Sequence, residues 1–317
     1  MDLTSLSPGN RRHELAAIVA LIRAKARPVP VNRLATLIDH AGSAVELIQL
    51  PLEDVLFSTP DADYRCAGTV GATEIEEAMR MVDGWLQRGL DVRMILDADY
   101  PVNLHSIFDR PPLLFVQGSW REQTDSNSIA IVGTRSASRY GLARARRLAA
   151  ELVESGYTIL SGLAAGVDTV AHESALRSNG RTAAVMGTGL DHRYPAENRP
   201  LSERIVRAGG ALLTQFFPHQ APRKWMFPSR NVVMSGLSLA TVVVEAGSTS
   251  GAKMQARVAL QHGRTVFLLR SLVESHDWAR SYVQEGAYGA VAIEVATTAD
   301  IVSRLQVPTD HGVTLSA

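Results

Sequence analysis

The chain has 317 residues in which 32 Lys and Arg balance 32 Asp and Glu, enough for one large domain and a smaller one with a sizeable core. The overall charge therefore points to no polyanionic partner, but its distribution is uneven. Residues 1–128 carry 12 basic against 18 acidic side chains and residues 129–317 carry 20 against 14, so an anion site is expected in the second part.

The single cysteine, Cys66, excludes an internal disulfide framework and a cysteine-rich metal cluster, suits a reducing cytosol, and reads as a small filler. "LAAIVALI" is too short to span a bilayer and is soon followed by Arg23, Lys25 and Arg27, and no signal-peptide pattern opens the chain. A cytoplasmic protein without a membrane partner is expected.

In chain order, "RHELAAIVALIRAK", "PVPVNRLATLIDHAG" and "ATEIEEAMRMVDGWLQRG" have apolar residues at helical spacing, the last with an acidic first turn suited to the helix dipole. A small helical module is predicted over residues 1–90. "YPVNLHSIFDRPPLLFVQGSW" then joins a proline pair to an apolar strand, a passage into the next domain.

From Ser128 onward, "SIAIVG", "YTILSG", "TAAVMG", "ALLTQF", "ATVVVEA", "RTVFLL" and "AVAIEV" are continuous apolar runs, as in strands covered on both faces. Helical patterns fill the gaps; "RYGLARARRLAAELVESG" aligns Leu142, Ala145, Leu148, Ala149, Leu152 and Val153 and ends at Gly156. The expected fold class is α/β, a doubly wound and mostly parallel sheet over residues 91–310. "TADIVSRLQ" supplies a last helix, and residues 311–317 form a tail.

In such sheets, ligands collect beyond the carboxyl ends of the strands, at glycine-bearing turns that lead into helices. "IAIVGTRSASRYG" offers Gly133, the hydroxyl of Thr134 and, in the turn itself, Arg135, whose fork suits phosphate. It lacks the GxGxxG fingerprint, so no dinucleotide cofactor is expected. Five arginines and no acid lie between Gly133 and Arg147; a solvated helix face and a nucleic-acid path both explain Arg144, Arg146 and Arg147.

"LSGLAAGVDTVAHESAL" places Ser161 and Gly162 at a strand end, with Asp168 and His172 on one face of the next helix, within reach of each other. They read as a structural pair or as an acid–base pair lacking a third partner. "MGTGLDHRYPAEN" adds Asp191, Tyr194, Pro195 and Asn198; Asp191 beside His192 is too sparse for a metal site, and none is expected.

"RKWMFPSRN" interleaves Arg223, Lys224 and Arg230 with Trp225 and Phe227, followed by Asn231. Such a stretch can grip phosphates and stack bases, or bury its aromatics and leave its cations on the rim. "VVVEAGSTSGAKMQA" puts Glu245 at a strand end, as a base or as an organiser of Arg135 or Arg230, and makes Ser248 to Gly251, with Ser250 among them, an anion-cradling start of a helix.

Taken together, these stretches resemble the DNA-processing DprA/Smf family. The likeness runs from "DADYPVNLHSIFDRPPLLFVQGSW" through the turns above, "FPSRN" and "ALQHGRTVFLL" to "VQEGAYG", Asp97 to Gly289, in family order. It implies a Rossmann-like sheet behind a helical module, binding of single-stranded DNA, protection of strands taken up in natural transformation, loading of a strand-exchange recombinase, and a homodimer without catalytic turnover.

By the same resemblance, Gly133, Thr134 and Arg135 form a phosphate-gripping turn, and Ser161 and Gly162 line the same groove. Lys224 and Arg230 meet phosphates, Phe227 stacks or forms a pocket wall, and Asn231 belongs to that window. Asp168, His172, Asp191, Glu245, Ser250 and Gly251 support the pocket.

Four stretches depart from the family pattern. Val232 replaces the last arginine of "FPxRNR", "SGAKMQA" replaces "SGSLxTA", Arg270-Ser271 a proline-glycine, and Thr214-Gln215 a Ser-Glu pair. The competing class is a nucleotide-binding sensor or nucleoside-monophosphate-cleaving enzyme of a related Rossmann-like family, with Glu245 as catalytic carboxylate and Arg135 as clamp; its "PGGxGT" turn is not matched by "AGSTSGA".

Overall fold

The computed structural model describes residues 6–24, 31–49 and 70–305; Cys66 and the expected tail lie outside the described residues. Helix α1 (Arg11–Arg23) starts where the Asn10 side chain accepts from the Arg12 and His13 amides. Helices α2 (Val31–Ala41), α3 (Ala44–Gln49) and α4 (Ala72–Gln87) follow.

The six-residue α3 has too little periodicity to be read from sequence. It exists because the buried Glu14 carboxylate of α1 accepts from the Ala44 amide at 2.7 Å and the Ser43 hydroxyl at 2.6 Å. An anion from another helix thus satisfies its first turn.

Strands β1 (Asp91–Met94) and β2 (Leu113–Gly118) flank the short α5 (Val102–His105) and pair antiparallel. After α6 (Glu122–Asp125), strand and helix alternate: β3 (Ser128–Val132), α7 (Arg139–Glu154), β4 (Thr158–Ser161), α8 (Val167–Arg177), β5 (Thr182–Val185), α9 (Arg199–Arg207), β6 (Ala211–Thr214), α10 (Met226–Leu237), β7 (Ala240–Val243), α11 (Gly251–Gln261) and β8 (Thr265–Leu269). Helices α12 (Arg270–Ser275) and α13 (Asp277–Gln284), strand β9 (Ile293–Val295) and α14 (Thr298–Leu305) complete the described chain.

The nine strands run in the order β1-β2-β6-β5-β4-β3-β7-β8-β9. From β6 to β9 every pairing is parallel, and β1 and β2 add an antiparallel edge at β6. The fold is the expected α/β, mostly parallel, Rossmann-like one.

Successive residues of the central strands serve opposite layers, which is why their sequences do not alternate. Ile129, Ile131, Ala240 and Val242 pack with Ala145, Leu148 and Leu152 of α7 and Ala171 of α8, whereas Ala130, Val132 and Val243 join the layer that holds α10 and α11. That second cluster continues into α1–α4, where Trp85 meets Phe115 edge-on at 4.9 Å and Phe217 at 5.4 Å, each contact adding about 1 kcal/mol beyond area burial.

From β3 the chain moves toward β4 on one side; from β7 it moves toward β8 on the other. The carboxyl ends of β3 and β7 therefore lie side by side at the point where the winding reverses, the crevice in which open α/β sheets bind ligands. Their turns are stitched together, Val244 N donating to Val132 O at 3.0 Å and Thr134 N to Glu245 O at 2.7 Å.

Candidate functional site

A cleft of about 430 Å³ opens at this switch point, bounded by the turn after β3, the start of α10 and the start of α11. Glycine makes the first of these turns pack. A Cβ at Gly133 would overlap the Val167 side chain, and one at Gly166, which has φ of 78°, would overlap the Thr134 and Arg135 carbonyls. Beside them, Leu163 holds φ of 58° although it is not glycine. Asn198 fixes that arrangement, donating to Leu163 O at 2.8 Å and bonding Thr169 Oγ1 at 2.8 Å, as strained backbone near a site requires.

On the rim, Arg135 is exposed and its guanidinium lies 5.8 Å from the centroid of the Phe227 ring. Among the described residues Arg135 has no carboxylate partner. The Phe227 ring rests on Gly187, where a Cβ would intrude on it, and its other neighbour is Tyr194, with ring centroids 5.4 Å apart. The turn after β3 and the basic aromatic segment thus meet through a cation over an aromatic face. Lys224 is exposed on the turn ahead of α10 and is not part of the cleft lining.

Arg230 and Asn231 form the floor rather than the rim. Arg230 is buried, donating from Nη1 to Val185 O at 2.8 Å and from Nε to Asn231 Oδ1 at 3.2 Å. Gly162 is the space the guanidinium occupies, since a Cβ there would overlap it. Burial lowers the Arg230 pKa, Asp168 opposes that shift and Arg135 adds to it. The charge of Arg135 thus reaches Arg230, while the Asp168 carboxylate, which also lines the cleft, acts on it more strongly.

The remaining expected supports divide. The Ser161 hydroxyl is fully buried and donates to Ile131 O at 2.6 Å, so it braces β3 and lines no groove. Asp168 and His172 are not bonded to each other. Asp168 accepts from the Gly162 and Ala164 amides at 3.1 and 3.3 Å, and burial raises its pKa against the pull of Arg230. His172, wholly buried, shares a 2.7 Å hydrogen bond with Thr182 Oγ1, and burial followed by the Arg230 charge pushes its pKa down to about 3. They are neighbours in sequence spacing, with separate structural tasks.

Asp191 is not at the cleft either. Its carboxylate pairs with Arg88 just past the end of α4, because the turn after β5 carries it toward the helical module. Glu245 accepts from Ser138 Oγ at 2.9 Å and from the Ser138 amide at 3.2 Å, the space for its carboxylate being left by Gly141. It braces the start of α7 and faces a separate cavity of about 230 Å³, so it organises the turn that carries Arg135 without touching either arginine.

Ser250 and Gly251 do line the cleft, Ser250 as N-cap of α11 with Oγ accepting from Ala252 N at 3.2 Å. Val232, in the place of the family's last arginine, is part of an apolar groove with Phe216 and Trp225 and is absent from the cleft lining. On α7, Arg147 pairs with Glu151 and Arg144 with the Ala296 carbonyl and the Tyr140 ring. Tyr194, Asn198 and Gln255 are the residues of the site whose roles sequence reasoning missed; the crowded turn after β5 was the signal for the first two.

The cleft thus brings together an exposed cation on an aromatic ring, a buried cation and the buried Asp168 carboxylate below it, and the N-terminus of α11. The chain is similar to several known proteins. Protein Smf of Synechocystis is 44% identical over 176 residues, which is 55% of this chain and 44% of that protein, so the chain spans under half the length of this curated relative. The X-ray structure of DNA processing protein A (DprA) from Streptococcus pneumoniae superposes with a TM-score of 0.69 at 29% identity, over 91% of this chain and 96% of that one. DNA processing protein A from Helicobacter pylori, solved for its single-stranded DNA binding mode, gives 0.59 at 25% identity over 68% of this chain and 95% of its own. With the sequence model of the DNA recombination-mediator protein A family matching residues 91–306, the chain belongs to that family of DNA-processing proteins.

Proposed function

We propose that the switch-point cleft binds single-stranded DNA without regard to sequence and without turnover, the phosphates meeting Arg135 and bases stacking on Phe227. The observation that carries this reading is the Arg135 guanidinium, exposed, without a carboxylate partner among the described residues, and held over an aromatic ring at the mouth of the crevice. A cation so placed attracts phosphate from solvent, and an aromatic face accepts any base. The chemistry of the Helicobacter pylori relative's ligand fits the same cleft. Lys224, exposed three residues before Phe227, extends the cationic rim, while Gly133, Thr134, Ser250 and Gly251 supply backbone donors and hydroxyls.

Family membership supports a wider role for a homodimer in the cytoplasm: shielding strands taken up in natural transformation and loading a strand-exchange recombinase onto them. The nucleoside-cleaving alternative is disfavoured by Glu245, whose carboxylate is committed to Ser138 and faces away from the cleft. The test is fluorescence anisotropy with labelled oligo-dT across a salt series. Binding should weaken steeply with salt, and Arg135→Ala should flatten the logarithmic slope by about 0.7, the share of one single-strand phosphate. Affinity indifferent to salt, or no binding at low salt, contradicts the reading.

A further inference from the structure

The residue of the cleft that strand electrostatics leave unexplained is Gln255, on the second turn of α11. It is 1% exposed, it lines the cleft, and neither Nε2 nor Oε1 has a hydrogen-bond partner among the described residues. Burying an amide with both ends unpaired destabilises a fold by roughly 1–3 kcal/mol per group, where an apolar side chain of the same shape costs nothing. Helix α11 packs here through Ala252, Ala256, Ala259 and Leu260, surroundings that would accept a methionine or leucine. The amide is unlike its neighbours, and its residue is part of the cleft lining.

An amide presents a donor and an acceptor side by side. A phosphate would pair with Nε2 and be repelled by Oε1, so it does not satisfy the pair. The edge of a nucleobase does, because each base carries an adjacent donor and acceptor on its pairing edge. The rest of the cleft is laid out for the other parts of a nucleotide. Ser250 and Gly251 open the N-terminus of α11 one turn earlier, with nothing within 4 Å of the position a Gly251 Cβ would take, so a phosphate can reach those amides. Arg135 and Phe227 stand at the mouth.

We propose that Gln255 is a base reader: one nucleobase of the bound strand turns out of the stack into the cleft and pairs edge-on with the Gln255 amide. The inference rests on the strand-binding reading and deepens it, turning a purely electrostatic groove into one with a single base-dependent subsite.

The test compares oligo-dT with an abasic oligonucleotide of equal phosphate number, on the wild-type chain, Gln255→Met and Gln255→Leu. Both variants should lose about tenfold in affinity for oligo-dT, the worth of one to two hydrogen bonds. They should bind the abasic strand as the wild type does, keep the same salt slope, and melt no lower than the wild type. Equal affinity of wild type and folded variants for oligo-dT overturns the inference while leaving strand binding intact. Wild-type protein that binds no oligo-dT at low salt removes the strand reading. In that event protection of the wild type, but not of Gln255→Met, by thymidine monophosphate would identify a free nucleotide as the source of the base, and no protection would end the inference too.

Discussion

One cleft holds two arginines in opposite conditions, and the contrast separates what builds the site from what a ligand meets. Arg230 on the floor is buried, spends its donors on Val185 O and Asn231 Oδ1, and sits in the space left by Gly162. Arg135 on the rim is exposed and has an aromatic face as its companion. A desolvated guanidinium is stable only when its donors and charge are answered from within the fold, so Arg230 sets shape and potential. A solvated one keeps its donors available, so Arg135 is the one a ligand in solution can reach. Residue type is the same; burial decides the task.

If the floor is structural, acid should attack it first. His172 is held neutral with a pKa pushed from 6.5 to about 3 by burial and by Arg230. Its folded pKa lies below the unfolded one, so its contribution is complete above pH 6.5 and is lost as the pH falls from 6.5 toward 3. The slope reaches about 1.4 kcal/mol per unit. Asp168 has the opposite sign: burial raises its pKa, so the folded state takes up that proton sooner than the unfolded chain and regains some stability at low pH. Urea melts at pH 7 and 4.5 should show the wild type losing on the order of 2–3 kcal/mol more than His172→Met over that interval. An identical pH dependence of the two proteins would remove the buried neutral imidazole from the account.

The direct comparison of floor and rim is Gly162→Ala against Arg135→Gln. The alanine methyl displaces the Arg230 guanidinium from Val185 O and should cost about 2 kcal/mol of stability. Arg135→Gln should stay within about 0.5 kcal/mol of the wild type, since it alters an exposed side chain, yet weaken oligo-dT binding. If Gly162→Ala melts like the wild type, or Arg135→Gln unfolds the protein, the division of labour is wrong.

How far the sequence reaches follows the same division. Strand runs such as "ATVVVEA" were legible because both faces of a central strand are buried, which leaves a continuous apolar signal in β7. The glycine turns were legible as well, since close approaches such as Gly133 on Val167 tolerate no side chain. What sequence could not show is where polar side chains turn once the backbone is set. Asp168 and His172 share a helix spacing that suggests a pair, yet each bonds to a different strand or loop. Asp191 seemed to belong to a glycine-rich site and instead binds Arg88 from a segment far back in the chain. Ser161 faces into the sheet. Such choices depend on which carbonyls and amides lie within about 3 Å in three dimensions, information that local spacing does not carry.

The smallest expected effect bears on Glu245, which sequence reasoning left between catalyst and support. Its carboxylate accepts from both the hydroxyl and the amide of Ser138, at the N-terminus of α7. Glu245→Gln keeps the shape and one acceptor but removes the negative charge from the helix start, which should lower stability by about 0.5–1 kcal/mol. Strand affinity should stay within about twofold of wild type, because the turn bearing Arg135 is still fixed by Thr134 N donating to the main-chain oxygen of residue 245. A support placed behind a binding turn predicts this small, stability-only change. A catalytic carboxylate predicts the reverse, intact stability with loss of base release from nucleoside monophosphates, so one variant measured both ways decides on which side of the turn the chemistry lies.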